Sequence, residues 1–270
     1  MKWIVLKFGG SSLNNHGYKV ILDRINKLSD YKILIVLSAS KGITDSLIHL
    51  TEDNCNEKKN TIINYHKNLS KSLDIEHDIN LKYVINSFKS SLYNKNKNYD
   101  DIVSFGEKFS TSILSDYLSH NSIEHILLDA RRFILLKNDD YNSKINDEYI
   151  VEINKLNEII DTKEVVITQG FVCRDHIDNT KIMTRGGSDT TASILAKELN
   201  AEKLEIWTDV NGIYTCDPNK VKNSKLIKNI SYNLSQEVSG MGAKILHPYS
   251  IKPCQNKGIP IYIKNTFNPE

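Results

Sequence analysis

Four short stretches of this 270-residue sequence combine glycines, hydroxyls and charged side chains: Lys7-Phe8-Gly9-Gly10-Ser11-Ser12, Ser38 to Thr44, Thr184 to Thr191 (TRGGSDTT) and Thr208 to Tyr214 (TDVNGIY). Their logic suits phosphoryl transfer. Glycines let backbone N–H groups approach phosphate oxygens, and helix N-termini add the positive end of a dipole. A transferring phosphoryl group needs cations around its oxygens and little covalent chemistry from the protein. Lys7, beside two glycines, suits that task. The GxxxxGK[ST] loop is absent, and so are the HRD and DFG signatures of protein kinases. Each stretch taken alone also has a plain reading. KFGGS fits a strand-to-helix turn, RGGSD a turn in which Ser188 or Asp189 caps the next helix, and Asn211-Gly212 an ordinary hairpin. Their joint occurrence shifts the balance.

The elements that must position them follow from periodicity. Ile4 to Phe8 and Ile33 to Leu37 are short apolar runs ending in small residues, which read as buried strands. Between them, Val20, Ile21, Ile25 and Leu28 recur at helical spacing. Strand, helix, strand predicts a parallel βαβ unit with a right-handed crossover. From about Thr44 to Tyr93 the pattern is helical, polar and rich in Lys and Asn, an excursion over the sheet. Further helices are expected over Ser104 to Leu118, Ser188 to Leu199 and Ile245 to Asn256, the last despite Pro248 and Pro253. Further strands are expected over Ile123 to Leu128, Glu164 to Thr168, Lys203 to Thr208 and Ile259 to Ile263. The sum is one doubly wound α/β domain, in which all four stretches can converge on one crevice at the carboxyl ends of the strands.

Composition narrows the partners. The formal charge is +2, which offers no electrostatic argument for nucleic acid or an anionic membrane. The apolar start of the chain breaks at Lys7, and no run approaches the ~20 apolar residues of a membrane span. The four cysteines, Cys55, Cys173, Cys216 and Cys254, have no metal-type spacing and read as reduced thiols of a cytoplasmic protein. Lysine dominates the basic residues; only Arg24, Arg131, Arg132, Arg174 and Arg185 are arginines.

The sequence resembles the aspartokinase branch of the amino acid kinase family. The matching stretches are KFGGSSL (Lys7 to Leu13), SASKGITDSL (Ser38 to Leu47), SFGEKFS (Ser104 to Ser110), VITQGF (Val166 to Phe171), RGGSDTTASILA (Arg185 to Ala196), IWTDVNGIYTCDP (Ile206 to Pro218), GAKILHP (Gly242 to Pro248) and NTFNPE (Asn265 to Glu270). The resemblance implies a three-layer α/β/α sandwich around a mostly parallel sheet. It implies ATP and L-aspartate as substrates, with 4-phospho-L-aspartate as product. The resemblance makes that the first step of the aspartate-family amino acid pathway, which leads to lysine, threonine or methionine.

Roles follow the matched positions. Lys7, Asp189 and Lys244 would be catalytic: Lys7 faces the transferring group, Asp189 orients the lysines, and Lys244 reaches the ATP phosphates. Glu107 would hold the substrate ammonium and Arg185 a substrate carboxylate, where a planar bidentate donor outperforms lysine. Thr44, Phe171, Gly186 and Ser188 would line the aspartate pocket. Lys7, Gly9, Gly10, Ser11, Thr208, Asp209, Tyr214, Asp217 and Lys244 would surround the nucleotide. Mg2+ would arrive with ATP, held mainly by phosphate oxygens rather than by a protein-built site.

Thr184 and Asn219 depart from the family's usual glycine and arginine. In the family NTFNPE leads into regulatory domains, usually a tandem ACT pair. The sequence here stops at Glu270, so a single catalytic domain over 1–270 is expected, with its helical excursion at about 44–100. That expectation leaves room for a homodimer or a separate regulatory chain. Two rival readings are a kinase with another acceptor, such as glutamate, and a non-catalytic subunit that kept the fold.

Overall fold

The computed structural model describes residues 1–53, 55–94, 98–137, 149–160, 164–184, 186–216, 221–240 and 248–269. In chain order the first half runs β1 (Trp3–Phe8), α1 (Asn15–Asn26), β2 (Lys32–Leu37), α2 (Ile43–Glu52), α3 (Asn56–Ser72), α4 (Ile79–Tyr93), α5 (Tyr99–Val103), α6 (Phe105–His120), β3 (Ile126–Leu128) and β4 (Ile134–Leu136). The second half runs β5 (Tyr149–Val151), α7 (Ile153–Ile160), β6 (Val165–Gln169), β7 (Val172–Arg174), β8 (Thr180–Ile182), α8 (Gly187–Glu198), β9 (Lys203–Thr208), α9 (Tyr232–Gly240), α10 (Pro248–Lys257) and β10 (Ile261–Asn265).

Six strands form one sheet in the order β10-β9-β1-β2-β6-β3, every pair parallel. Such a sheet must be covered on both faces, and period-two alternation sorts its side chains between two cores. Ile4, Leu6 and Phe8 of β1 join Ile33, Ile35 and Leu37 of β2 in a core with Tyr18 and Ile21 of α1 and Phe109 and Ile113 of α6. Val5, Leu34 and Val36 point the other way, into a core with Ala192 and Leu195 of α8 and Ile251 of α10. Each buried Leu, Ile or Phe contributes about 1.5–3 kcal/mol. The three-layer expectation holds.

Alternation also fixes Lys7. It shares the face of Val5 and therefore points towards α8, at the carboxyl end of β1. The chain leaves β1 for β2 on one side and returns to β1's other side as β9. That reversal opens the crevice where ligands of doubly wound folds bind.

A second, four-stranded sheet, β5-β4-β7-β8, was not expected from the sequence. Its strands have three residues each, too few for a legible alternation. The helices α7 and α9 were also unforeseen. The Lys- and Asn-rich stretch is helical as expected, in α2, α3 and α4. Residues 245–247 of the helix expected from Ile245 lie outside the described residues, and α10 runs through Pro253 to Lys257. Among the described residues no helix is long and apolar enough to cross a membrane.

Candidate active site

Three helices aim their first turns at a pocket of about 250 Å3 at the ends of β1 and β2. Thr44 comes from the first turn of α2, Glu107 from that of α6, and Gly187, Ser188 and Asp189 from that of α8. Lys7, Ser38, Ala39, Phe171 and Gly186 complete the lining. Helix N-termini carry partial positive charge, so the pocket favours an anion.

The loops that deliver these residues pack too tightly for side chains. A Cβ on Gly10 would lie 2.5 Å from the Ala39 carbonyl oxygen, and one on Gly106 would lie 2.6 Å from the Ala39 Cβ. The first and second glycine- and serine-rich stretches thus interlock with the start of α6 around one alanine. Gly186 takes φ +82° to start α8, a conformation that costs glycine least. Phe171 adopts φ +66° without that freedom. Strain held at a residue lining a pocket is a mark of a functional position.

Two ionic features define the chemistry. Lys7 Nζ lies 2.6 Å from Asp189 Oδ1, with both side chains largely buried. Asp189 sits in the first turn of α8, where its charge complements the helix dipole. The carboxylate therefore holds the lysine at the mouth of the crevice. Glu107, 3% exposed, accepts a 3.0 Å hydrogen bond from the Ala39 N–H through Oε1, while Oε2 is buried with no partner among the described residues. Burial pushes its pKa up to about 8, offset only in part by that N–H and by the charges of Lys108 and Lys7. A buried carboxylate with an idle oxygen in a pocket invites a cation.

The sequence-derived stretches are thus partly united. Those around Lys7, Ser38 to Thr44 and Gly186 to Asp189 meet in this pocket. The fourth does not enter it. Asn211, Gly212 and Ile213 line a neighbouring groove of about 570 Å3, with Ile230, Tyr232 and Ile261 on its other walls. Thr208 Oγ1 donates to Asp209 Oδ1 at 3.2 Å, and Asn211 Nδ2 reaches the Tyr214 hydroxyl at 3.3 Å. The two regions touch where the Gly9 N–H donates to the Trp207 carbonyl oxygen at 3.0 Å. The Gly10–Ser12 turn follows directly. Arg185, Asp217 and Lys244 lie outside the described residues. Ser38, Ala39 and Gly187 line the pocket although the sequence reading gave them no individual role. The small residues closing β2 and the second glycine of RGGSD were the available signals.

The amino acid kinase family profile matches residues 2–265. The chain belongs to the amino acid kinase family. Within it, the sequence is similar to lysine-sensitive aspartokinase 3 of Escherichia coli (strain K12), 32% identical over 98% of this chain and 62% of that one. An aspartokinase of Chlamydia pneumoniae is 30% identical over 100% of this chain and 62% of that one. The chain therefore spans less than two thirds of the length of these amino acid kinase relatives. Its fold superposes on E. coli aspartokinase III solved with aspartate and ADP, with a TM-score of 0.83, 28% identity and coverage of 100% of this chain and 63% of that one. Clostridium acetobutylicum aspartate kinase gives a TM-score of 0.82 at 31% identity, over 98% of this chain and 61% of that one.

Proposed function

We propose that this chain is the catalytic domain of an aspartate kinase, which transfers the γ-phosphoryl group of ATP to the β-carboxylate of L-aspartate. The observation that carries the reading is Glu107: a buried carboxylate with one oxygen idle, facing Lys7 across a pocket built from three helix N-termini. An amino acid with two carboxylates and one ammonium fits that charge pattern. The ammonium satisfies Glu107, and the carboxylates face Lys7 and the helix ends.

The chemistry asks little more. The β-carboxylate is itself the nucleophile, so no general base is needed. Lys7 neutralises the phosphoryl oxygens as two anions approach each other, and Asp189 keeps its ammonium in place. Catalysis then consists of alignment and charge neutralisation. Arg185 would pair with a substrate carboxylate, and Thr44, Phe171, Gly186 and Ser188 would shape the pocket.

Gly9, Gly10 and Ser11 would carry the nucleotide phosphates from this pocket to the neighbouring groove. Thr208, Asp209, Tyr214 and Asp217 would hold the nucleoside there, with Lys244 on the phosphates. Mg2+ would arrive with the nucleotide and help neutralise its phosphate oxygens. Asp189 is already committed to Lys7. The cytoplasm, where both substrates are abundant, is the compartment this reading assigns.

The test is ADP release by the purified chain with MgATP and L-aspartate, L-glutamate or no acceptor, with hydroxylamine to trap an acyl phosphate. Aspartate-dependent ADP and aspartyl hydroxamate are expected, with glutamate inactive. Lys7→Ala should lower turnover about a thousandfold while leaving the circular dichroism spectrum unchanged. Turnover within a few-fold of the parent in that variant would remove Lys7 from the mechanism. Measurable ATP binding with no aspartate-dependent ADP would refute the kinase reading.

A further inference from the structure

Arginine is scarce in this chain. There are five, yet three of them, Arg131, Arg132 and Arg174, line one pocket of about 410 Å3 together with Lys155, Asp129 and Asp178. This pocket shares no lining residue with the one around Lys7 and Glu107. It lies where the turn after β3, the start of α7 and the β7–β8 hairpin meet.

Its internal pairing is deliberate but incomplete. Arg131 holds Asp129, with Nε 3.0 Å from Oδ1, and donates through Nη1 to Thr180 Oγ1 at 2.9 Å. Arg174 pairs with Glu152 through Nη2, and Glu152 also accepts from Lys155 Nζ at 2.8 Å. The remaining edge of Arg174 donates through Nη1 to Asp178 Oδ1 at 2.9 Å. That last carboxylate differs from the others. Asp178 is 81% exposed along its side chain and sits at φ +64° in the hairpin turn. Arg132 is exposed and enters none of these pairs. Among the described residues that line the pocket or pair with its lining, four cations thus face three carboxylates, one of which sits in solvent at the rim.

We propose that this pocket is a second binding site, for a small multivalent oxyanion such as a phosphate monoester or a dicarboxylate. Arg132 and the Asp178-facing edge of Arg174 are its binding groups. In the unliganded chain Asp178 occupies the place of one ligand oxygen pair. Guanidinium groups suit such ligands because their donors are fixed in a plane that matches two oxygens at once, which the lysines abundant elsewhere in this chain do not offer. The location gives occupancy a route to the other pocket. The hairpin closes through the Met183 N–H, which donates to the Phe171 carbonyl oxygen at 2.7 Å, and Phe171 lines the pocket around Lys7.

The test is calorimetric titration of the purified chain with inorganic phosphate and, separately, with succinate at low ionic strength. It requires no turnover, so its outcome is independent of the proposed kinase activity. Because either anion can also enter the pocket around Lys7, the titrations are repeated on Lys7→Ala. Binding that persists in Lys7→Ala, weakens about tenfold in Arg132→Ala (about 1.4 kcal/mol) and tightens in Asp178→Asn is the expected result. Phosphate binding without succinate binding assigns the site to phosphate esters, and the reverse to dicarboxylates. Arg132→Ala is at an exposed position and leaves the internal pairs intact, so it tests the site without testing the fold. Absence of binding by both anions to Lys7→Ala, or affinities indifferent to Arg132→Ala and Asp178→Asn, would overturn the proposal.

Discussion

Two glutamates are almost equally buried in this molecule and are treated in opposite ways. Glu205, on β9, is 1% exposed and fully furnished. Arg24 of α1 grips it with both Nε, at 2.9 Å, and Nη2; Lys203 Nζ lies 3.0 Å away; and Trp207 Nε1 donates to it at 3.2 Å. Burial alone would raise its pKa, yet Arg24 and Lys203 outweigh burial and hold it below the usual carboxylate range. Glu107, 3% exposed, has one backbone N–H and an idle oxygen, and burial lifts its pKa to about 8. The first glutamate fastens a helix to the sheet. The second is left unsatisfied beside a cavity, and an unsatisfied buried polar group is tolerated where a ligand completes it.

The sharpest way to break this comparison is to neutralise the second glutamate. In Glu107→Gln, kcat/KM for aspartate should fall about a thousandfold, or some 4 kcal/mol, because the substrate ammonium loses its buried counter-charge. Stability should not fall with it. The folded state holds the Glu107 proton more tightly than the unfolded chain does, so stability conferred by the protonated carboxyl is full below 4.5 and is lost as pH rises towards about 8. The glutamine variant should lose that slope and be the more stable protein at pH 8. Aspartate binding should also release a proton below that pH, because the ammonium favours the ionised carboxylate. Calorimetry in buffers of different ionisation enthalpy measures that release. An unchanged kcat/KM would make Glu107 a mere buried acid.

Arg24→Ala attacks the other glutamate and should give the reverse pattern. Removing one partner of a buried pair strands the other, at about 3–5 kcal/mol when both are dry. The Arg24 side chain is 20% exposed, and Lys203 and Trp207 remain, so about 2–3 kcal/mol is expected. Urea denaturation measures it. Aspartate KM should not move, and a KM shift would show that the α1–β9 fastening reaches the site.

The two glutamates also mark how far the sequence could be read. Strands β1 and β2 were legible because they are apolar runs ending in small residues; Lys203 to Thr208 was bounded as the structure has it. Glu107 was legible through a motif, as the acid beginning a helix, but its idle oxygen was not. That depends on Ala39, 68 residues away, approaching closely enough to occupy Oε1 alone. Glu205 was read only as one residue of a strand, since its partners come from α1 and from β9 itself. Three of the four stretches line the pocket around Lys7, and the fourth lines the groove beside it. TDVNGIY follows β9, which lies beyond β1 in the sheet, and its loop packs towards β10 and a separate groove. Sequence shows that such stretches end strands; which side of the crevice they serve depends on strand order. The second sheet was missed because three-residue strands carry no period.

His66 sharpens the comparison by limiting it. It is fully buried in α3, stacks on Phe109 of α6 at 4.3 Å, and its Nδ1–H donates to the Ile62 carbonyl oxygen at 2.8 Å. Among the described residues its Nε2 has no partner, as Glu107 Oε2 has none. The two differ in what the idle atom faces. His66 lines neither the pocket around Lys7 nor the arginine pocket, and its ring is packed against aromatic side chains. An idle atom without a cavity should affect stability and leave activity alone. Burial lowers the His66 pKa from 6.5 to about 4, so the folded chain keeps it neutral while the unfolded chain protonates. That neutral histidine's contribution is full above 6.5 and is lost as pH falls towards 4, amounting to about 2 kcal/mol at pH 5. The His66→Phe variant keeps the stacking and cannot titrate. Its urea midpoint should therefore drop less than the parent's between pH 7 and pH 5, with aspartate-dependent ADP release unchanged at pH 7. Equal drops would mean that Nε2 finds a proton acceptor in solution, and the distinction between an idle atom in a cavity and an idle atom in packing would lose its energetic basis.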